Sequence, residues 1–259
     1  MDVLNTETET LPTPPDLTIL YQDDYLVAVN KPAGLFVHRS FMDKDEIYFA
    51  LQLVRDKIGR YVYPIHRLDR PTSGVLLFAL TKEVARIMSD SFALNTVDSK
   101  TIQKTYYALT RGHLESNDYI DYPLKEKLDK IGDKYANKDK AAQEAQTYYQ
   151  SVKLATLPIA LGKYDSVRYS LIKLLPVTGR RHQLRRHLAH LRYPIIGDIN
   201  YGDNKQNPFF HSYFGFKRLM LIAKELEFLH PITQQCITIS VPFDQQWQTV
   251  FQKLNWSFE

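Results

Sequence analysis

The chain has 259 residues, a formal net charge of +4 and one cysteine, Cys236. This length can hold one large domain or two small ones, and 44% hydrophobic with 24% charged residues is typical of a soluble globular protein. No apolar run approaches the roughly 18 residues that a membrane span needs. A single cysteine excludes a disulfide framework and a cysteine-built metal site, and it indicates a reducing, cytoplasmic location.

The chain begins with an acidic, polar segment that contains three prolines. We predict that residues 1–16 form a disordered leader, because the segment has little apolar surface to bury and lacks the pattern of a secretory signal. A single folded domain is expected over residues 17–259. It opens with strands at Leu17–Leu20 and Tyr25–Val29, which form a hairpin around the turn at Asp23.

Helical and extended patterns then follow one another, with no internal repeat and no long linker. Asp45–Ile58 predicts a helix, and Thr81 caps a second helix that runs to Leu94. Lys125–Thr147 carries six lysines among five acids and predicts a solvated arm. The fold class is therefore α+β, with a mixed, mostly antiparallel sheet. Further strands are predicted at Thr105–Thr110, Arg168–Leu175, Arg218–Ala223 and Cys236–Val241.

One carboxylate, Asp69, lies between Arg67 and Arg70 in a segment that cannot be a regular helix. Pro71 removes a backbone donor and favours an extended conformation for the residue before it. The apolar run Val75–Leu80 then predicts a buried strand, so Asp69 sits on a loop that feeds the core. Two neighbouring arginines favour its ionised form, which suits a nucleophile. The alternative is a structural ion pair.

The segment from Thr178 to Arg192 has five arginines, three histidines and no acid. This basic block indicates a polyanionic partner. Thr178 and the glycine after it predict the start of a helix whose free backbone N–H groups could hold a phosphate. On that helix Arg181, Arg185 and Arg192 share one stripe, and an arginine near the core needs an acidic partner, for which Asp69 is the natural nominee. The alternative is a solvated basic helix.

Two adjacent tyrosines, Tyr106 and Tyr107, lie in a predicted strand. Because side chains alternate along a strand, one tyrosine faces the core and the other faces the opposite side. A tyrosine that faces a site offers a ring for stacking on a base and a hydroxyl for proton transfer. Ordinary packing of both rings is the alternative.

Cofactor motifs are missing from the sequence. It has no Walker motif and no dinucleotide fingerprint, and the histidines of the basic block lack the spacing of a zinc site. We therefore predict no metal, no cofactor and no nucleotide cofactor.

Three motifs, in order, resemble those of the RluA-type pseudouridine synthases: Lys31–His38, His66–Gly74 and Thr178–Arg185. The resemblance covers nearly the whole chain from Leu17 onward and implies a single pseudouridine synthase catalytic domain. Because only about sixteen residues precede the first strand, we expect no N-terminal S4-like RNA-binding module. Segments that resemble a tRNA-modifying member of the family are Asp23–Asn30, Val37–Ser40, Leu128–Ile131 and Arg185–Leu191.

The resemblance implies an isomerase that converts a uridine in RNA to pseudouridine, with uridine 65 of tRNA as the target. Asp69 is then the catalytic aspartate, Arg185 its basic partner and Tyr106 the tyrosine that packs on the target base. Arg67 matches the arginine that displaces the base from its stack. The full set expected to contact RNA is Arg67, Arg70, Arg180, Arg181 and His182.

Two alternatives remain open for the function. One is a synthase that acts on ribosomal RNA, and the other is a non-catalytic RNA-binding module of the same fold. The expected partner is tRNA, with no membrane contact, and the expected oligomeric state is a monomer.

Overall fold

A computed structural model describes residues 13–39, 46–94, 101–126 and 141–257. Most of the predicted leader, residues 1–12, and most of the predicted arm, residues 127–140, lie outside the described residues. The described part of the leader, residues 13–16, contains no helix or strand.

The described residues form ten strands and five helices. None of these helices is both long enough and apolar enough to cross a membrane. The strands are β1 Ile19–Gln22, β2 Leu26–Lys31, β3 Tyr63–Pro64, β4 Ser73–Ala79, β5 Ile102–Arg111, β6 Asp118–Asp121, β7 Gln146–Leu157, β8 Val167–Pro176, β9 Leu221–Leu229 and β10 Cys236–Ser240. The helices are α1 Ala50–Ile58, α2 Lys82–Ala93, α3 Gln183–His190, α4 Gln206–Phe214 and α5 Gln245–Lys253.

All ten strands belong to one sheet. Its main path runs β1-β2-β4-β9-β5-β8-β7-β6, with β3 paired to β4 and β10 paired to β9. Of the strand pairs in the described residues, β4 and β9 are parallel and the others are antiparallel. The prediction of an α+β fold with a mixed, mostly antiparallel sheet is therefore confirmed.

Strand β4 is covered on both faces, as its unbroken apolar run predicts. Every residue of the strand is buried. Val75 and Leu77 belong to the larger core, which also contains Met88 of α2, whereas Leu76 and Phe78 belong to a smaller core on the other face. Because both faces of β4 are packed, the loop that precedes it is anchored to the buried interior of the sheet.

Two locally encoded elements form as predicted. The first hairpin turns at Asp23, where Oδ1 accepts hydrogen bonds from the backbone N–H groups of Tyr25 and Leu26, each at 2.7 Å. Helix α2 begins after Thr81, whose Oγ1 accepts a hydrogen bond from Val84 N at 3.2 Å. Both use side-chain oxygens to satisfy backbone donors that have no partner within the element.

Two predicted helix starts are wrong. The helix expected over Asp45–Ile58 begins only at Ala50, because Ala50 N and Leu51 N donate to the carbonyls of Phe36 and Val37, which holds the preceding chain outside the helix.

The helix expected to open at Thr178 begins at Gln183. The Gln183 side-chain oxygen accepts hydrogen bonds from the Thr178 hydroxyl and from Arg180 N, so this segment folds as a loop. Arg181 and Arg192 consequently lie outside α3, and the predicted arginine stripe does not form.

We expect Gly74→Ala to destabilise the protein by ~3 kcal/mol through overpacking and backbone strain. Gly74 has φ +119°, and a Cβ there would lie 2.1 Å from the carbonyl oxygen of Ala223, its partner across the parallel β4–β9 pair. Urea unfolding measures the change. The matched control is Gly59→Ala. Its φ is +66°, but an added Cβ would meet no neighbouring atom within 4 Å, so the expected loss of stability is about 1 kcal/mol. Equal costs at the two positions would contradict the proposed clash.

Candidate active site

The loop that carries Asp69 joins β3 to β4. Asp69 O accepts a hydrogen bond from Thr72 N at 3.0 Å, which closes a turn, and the buried Leu68 anchors the loop in the smaller core. The carboxylate remains 24% exposed and lines a cavity. Asp69 therefore lies where the sequence predicts it, on a loop that precedes a buried strand, with its carboxylate accessible from the cavity.

A buried lysine ties this loop to the loop of the first motif. Lys31 Nζ donates hydrogen bonds to Pro32 O at 2.9 Å, Leu35 O at 2.8 Å and Arg70 O at 3.1 Å. Burial lowers the pKa of Lys31 to about 7, and the negative charge of Asp69 opposes that shift. Lys31 thus sets the positions of both loops, and the motif resemblance gave it no such individual role.

Arg185 supplies the positive charge beside Asp69. Its Nη1 lies 3.3 Å from Asp69 Oδ2, across 116 residues of sequence, and its side chain is only 2% exposed. The charge pattern predicted that an arginine of the basic block would pair with Asp69, and the motif resemblance implied that this arginine is Arg185; the contact agrees with both. Arg67 and Arg70 were expected to hold the charge of Asp69, but no ion pair joins either of them to Asp69 in the described part of the chain.

The principal partner of Arg185 is a residue that the sequence analysis missed. Asp198 accepts two hydrogen bonds from the guanidinium, from Nε at 2.7 Å and from Nη2 at 2.8 Å. Its fully buried carboxylate also accepts from the backbone N–H groups of Asn200 and Tyr201. The signal was a lone acid that follows the apolar pair Ile195–Ile196 after one glycine. Asp198 thus holds one edge of the guanidinium, formed by Nε and Nη2, and leaves Nη1 for Asp69.

The electrostatics of Asp198 and Arg185 follow from this pairing. Burial alone would raise the pKa of Asp198, but the hydrogen bond and charge of Arg185 bring it below its ordinary value. Burial alone would lower the pKa of Arg185, but Asp198 and then Asp69 raise it. Both groups are therefore ionised over the physiological pH range.

The two tyrosines of β5 have opposite environments, as strand alternation predicts. Tyr106 lines the cavity beside Asp69, whereas Tyr107 packs edge-on against Phe243 with ring centroids 5.4 Å apart. Burial, with a contribution from the charge of Asp69, raises the pKa of Tyr106 well above its usual range. Its hydroxyl therefore stays protonated at neutral pH and can donate a hydrogen bond.

The cavity has a volume of about 390 Å³. This is within the range of roughly 300–1,000 Å³ that is typical of small-molecule sites. Asp69 and Arg185 also border a wider groove of about 970 Å³. Basic side chains along that groove include Arg67, Arg70, Lys125, Arg180, Arg181, Arg186 and Lys217. The small cavity can accept one ring system, and the groove can accept a polyanion that carries it.

The remaining predicted RNA contacts lie at different depths. Arg67 is exposed and lines both the cavity and the groove. Arg70 turns towards the first motif, where it donates to Gly34 O at 3.0 Å, pairs with Glu46 and lies over the ring of Phe36. Arg70 thus organises the loops as well as bordering the groove.

In the basic block, Arg180 Nε donates to Glu144 O at 2.9 Å, and Arg181 borders the groove. His182 has φ 55°, and its Nε2 lies 3.9 Å from Asp69 Oδ1 while Nδ1 is 3.1 Å from the Tyr201 hydroxyl. Burial lowers the pKa of His182, although the charge of Asp69 opposes the shift.

The histidines of the basic block point to different partners, which does not fit a shared metal. His182 faces Asp69, whereas His187 is buried between the Thr147 hydroxyl and Tyr122 O, and His190 stacks on the Tyr122 ring. Among the residues described, no group of three or more histidine, cysteine or acidic side chains is arranged to hold a metal ion.

Comparison with known proteins identifies the family to which the chain belongs. Residues 25–190 match the family model described as RNA pseudouridylate synthase, and the match includes Asp69, Tyr106 and Arg185. The chain belongs to this family and is an enzyme of the pseudouridine synthase class, an isomerase.

Curated relatives are similar over nearly their whole length. The chain is 52% identical over 240 residues to tRNA pseudouridine synthase C of Vibrio cholerae, covering 93% of this chain and 96% of that protein. It is 54% identical over 240 residues to tRNA pseudouridine synthase C of Pasteurella multocida, covering 93% and 97%.

Solved structures show the same fold. Human RNA Pseudouridylate Synthase Domain Containing 4 superposes with a TM-score of 0.65 at 26% identity, covering 92% of each chain. Human RNA Pseudouridylate Synthase Domain Containing 1 superposes with a TM-score of 0.63 at 24% identity, covering 93% of this chain and 95% of that one.

Proposed function

We propose that the protein converts a uridine of tRNA, uridine 65, to pseudouridine without a cofactor. The proposal is carried by one observation: in a single cavity, the partly exposed carboxylate of Asp69 lies beside Tyr106 and the guanidinium of Arg185. The relatives named for tRNA modification, which match over almost the whole chain, support tRNA as the substrate.

The reaction moves one glycosidic bond from N1 to C5 of the uracil. The N1–C1′ bond breaks and C5–C1′ forms, the proton on C5 is lost and N1 gains one, so neither redox change nor energy input is needed. Asp69 is the catalytic carboxylate. It can attack C1′, add to C6 of the ring, or assist loss of a sugar proton that leaves a glycal. Arg185, whose Nη1 lies 3.3 Å from Asp69 Oδ2, orients it.

A paired base cannot reach a cavity of this kind, so the target uridine must leave its stack. We assign displacement of the base to Arg67, which is exposed at the border between cavity and groove. Arg70, Arg180, Arg181 and His182 contribute positive or polar contacts along the RNA backbone, where phosphate contacts position the duplex.

The test of this proposal is to map pseudouridines in total RNA with and without the protein, and in purified tRNA after incubation with it. Formation at position 65 of tRNA is expected. Formation in ribosomal RNA instead would favour the ribosomal alternative. Tight, salt-sensitive binding of tRNA without any pseudouridine would favour a non-catalytic binding module.

We expect Tyr106→Phe to lower the rate of isomerisation about 100-fold, because the ring that packs on the base remains but the proton-transferring hydroxyl is lost. Affinity for tRNA should change little. Single-turnover assays with C5-tritiated tRNA, which release tritium as pseudouridine forms, measure the chemical step. The matched control is Tyr107→Phe, since Tyr107 packs on the opposite face of β5. Equal isomerisation rates in Tyr106→Phe and Tyr107→Phe would contradict a role of the Tyr106 hydroxyl in proton transfer.

The proposal also covers the location, the oligomeric state and the domain extent of the protein. We infer a cytoplasmic monomer whose catalytic domain spans residues 17–259. Sedimentation velocity on the free protein and on its tRNA complex checks the monomer. Deletion of residues 1–16 should leave the isomerisation rate unchanged.

A further inference from the structure

A second buried lysine, Lys104, lies in the active-site cavity and has no part in the reaction outlined above. It precedes Tyr106 by two residues on β5, so both side chains lie on the same face of the strand, and both line the cavity. The residue is only 9% exposed. In the part of the chain that the structure describes, its Nζ has one hydrogen-bond acceptor, Val177 O at 3.4 Å.

The buried charge of Lys104 is expected to lower the stability of the folded state. No ion pair connects Lys104 to a carboxylate among the described residues, and a buried cation without such a partner destabilises the folded state. Burial lowers the pKa of Lys104 to about 8, which leaves the ammonium form predominant at neutral pH. The nearby His66 does not share the charge, because burial and then the charge of Lys104 lower the pKa of His66 to about 3.

The contacts of the ammonium leave donors available to a ligand. An ammonium has three donors, and one points at Val177 O over a long distance. The other two have no acceptor among the residues that the structure describes, so they can reach a ligand that enters the cavity. A buried, under-satisfied donor in a catalytic cavity is typical of a group whose partner is the substrate.

We propose that Lys104 is a catalytic residue that donates a hydrogen bond to a carbonyl oxygen of the flipped uracil and stabilises negative charge there during the reaction. The inference rests on the proposed function. When the N1–C1′ bond breaks, its electron pair stays with the uracil and is delocalised over N1 and the carbonyl oxygens. Addition of Asp69 to C6 would likewise move a pair towards a carbonyl oxygen. The same pair later forms the C5–C1′ bond, so Lys104 supplies charge and keeps its proton.

Such a donor is worth most where water is excluded, and removing one donor of this kind typically costs 10²–10³ in rate. Lys104→Met keeps the length of the side chain and removes its charge. We expect the single-turnover rate to fall about 100-fold while the dissociation constant for tRNA stays within twofold. Lys104→Arg, which keeps a cation, should retain more activity than Lys104→Met.

Stability separates this role from a structural one. Because Lys104→Met removes an unpaired buried charge, its melting temperature should equal or exceed that of the native protein. The matched control is Lys224→Met on the neighbouring strand, since Lys224 is also partly buried but lies over the ring of Phe243 and outside the cavity lining. Its isomerisation rate should equal the native rate. A native rate in Lys104→Met would overturn the proposal.

Sulfur substitution in the substrate tests the contact itself, without relying on the variant alone. A thiocarbonyl is a weaker acceptor than a carbonyl, so tRNA carrying 2-thiouridine or 4-thiouridine at the target should react more slowly with the native enzyme at the contacted position. At that position the penalty should shrink in Lys104→Met. Equal penalties in both enzymes at both positions would overturn the contact. If the native protein forms no pseudouridine at all, it is the proposed function that fails.

Discussion

Asp69→Asn is expected to abolish pseudouridine formation, with the single-turnover rate falling about 10⁴-fold or more, as when a catalytic carboxylate or nucleophile is removed from other enzymes. The amide has the shape of the carboxylate but neither its charge nor its capacity to attack carbon or accept a proton. Folding should change little, because Asp69 is 24% exposed and Arg185 keeps its two hydrogen bonds to Asp198. Tritium release from C5-tritiated tRNA is the measurement.

A control of the same chemistry is available at Asp24, an exposed residue of the first turn. Asp24→Asn should leave the isomerisation rate, the affinity for tRNA and the melting temperature unchanged. Undiminished turnover in Asp69→Asn would show that another group does the chemistry. Loss of tRNA binding together with turnover would instead make Asp69 a positioning residue, since a catalytic carboxylate should not be needed for binding.

The features predictable from the sequence are those determined by neighbours in the chain. The turn at Asp23 and the cap at Thr81 use side chains that bond backbone groups two or three residues away, so a short window contains all the information. The opposite environments of Tyr106 and Tyr107 follow from strand alternation alone. The burial of β4 follows from its unbroken apolar run.

Several partners within the site could not be predicted, because they depend on contacts between distant segments. Charge and burial together indicated that an arginine of the basic block needed an acid and nominated Asp69, and the motif resemblance implied that this arginine is Arg185. The structure adds Asp198 as the closer partner, which reaches Arg185 through a turn whose path no periodicity reveals. Lys31 binds Arg70 O, 39 residues away, and this link too has no local pattern.

The helix predicted to start at Thr178 does not form there because of the hydrogen bonds of one side chain, Gln183. A helix starting at Thr178 would have left its first N–H groups open to a phosphate. Gln183 accepts from Arg180 N and donates to Gln146 O at 2.9 Å and to the Thr147 hydroxyl at 3.0 Å, so it binds the loop to β7. These tertiary hydrogen bonds therefore hold residues 178–182 in a loop, although the local sequence favours a helix. The basic block borders the groove chiefly through its positive side chains.

Asp198→Asn is expected to lower the free energy of unfolding by ~3–5 kcal/mol, the usual cost of breaking a buried ion pair from one side. Asparagine can still accept from Asn200 N and Tyr201 N, but it leaves the buried guanidinium of Arg185 without its bidentate partner. Chemical unfolding monitored by tryptophan fluorescence measures the change. In the exposed pair Arg55–Asp56, the control Asp56→Asn should cost under about 1 kcal/mol.

A double-mutant cycle attributes that loss to the pair. In Arg185→Met with Asp198→Asn, no unpaired buried charge remains, so the double variant should be more stable than the sum of the two single losses predicts. Additive losses would mean that Asp198 stabilises the fold chiefly through Asn200 and Tyr201. Catalysis should be lost in all three variants, since each disturbs the guanidinium that faces Asp69.

Acid unfolding provides the last test of this arrangement. The pKa of Asp198 is lower in the folded protein than in the unfolded chain, where it has its ordinary value of about 4. The unfolded state therefore takes up the proton first as pH falls, so the stability due to the pair is complete above about pH 4 and is lost progressively below it. Asp198→Asn has no such group. Its stability should fall less steeply between neutral and acidic pH than that of the native protein, and parallel curves would contradict an ionised Asp198.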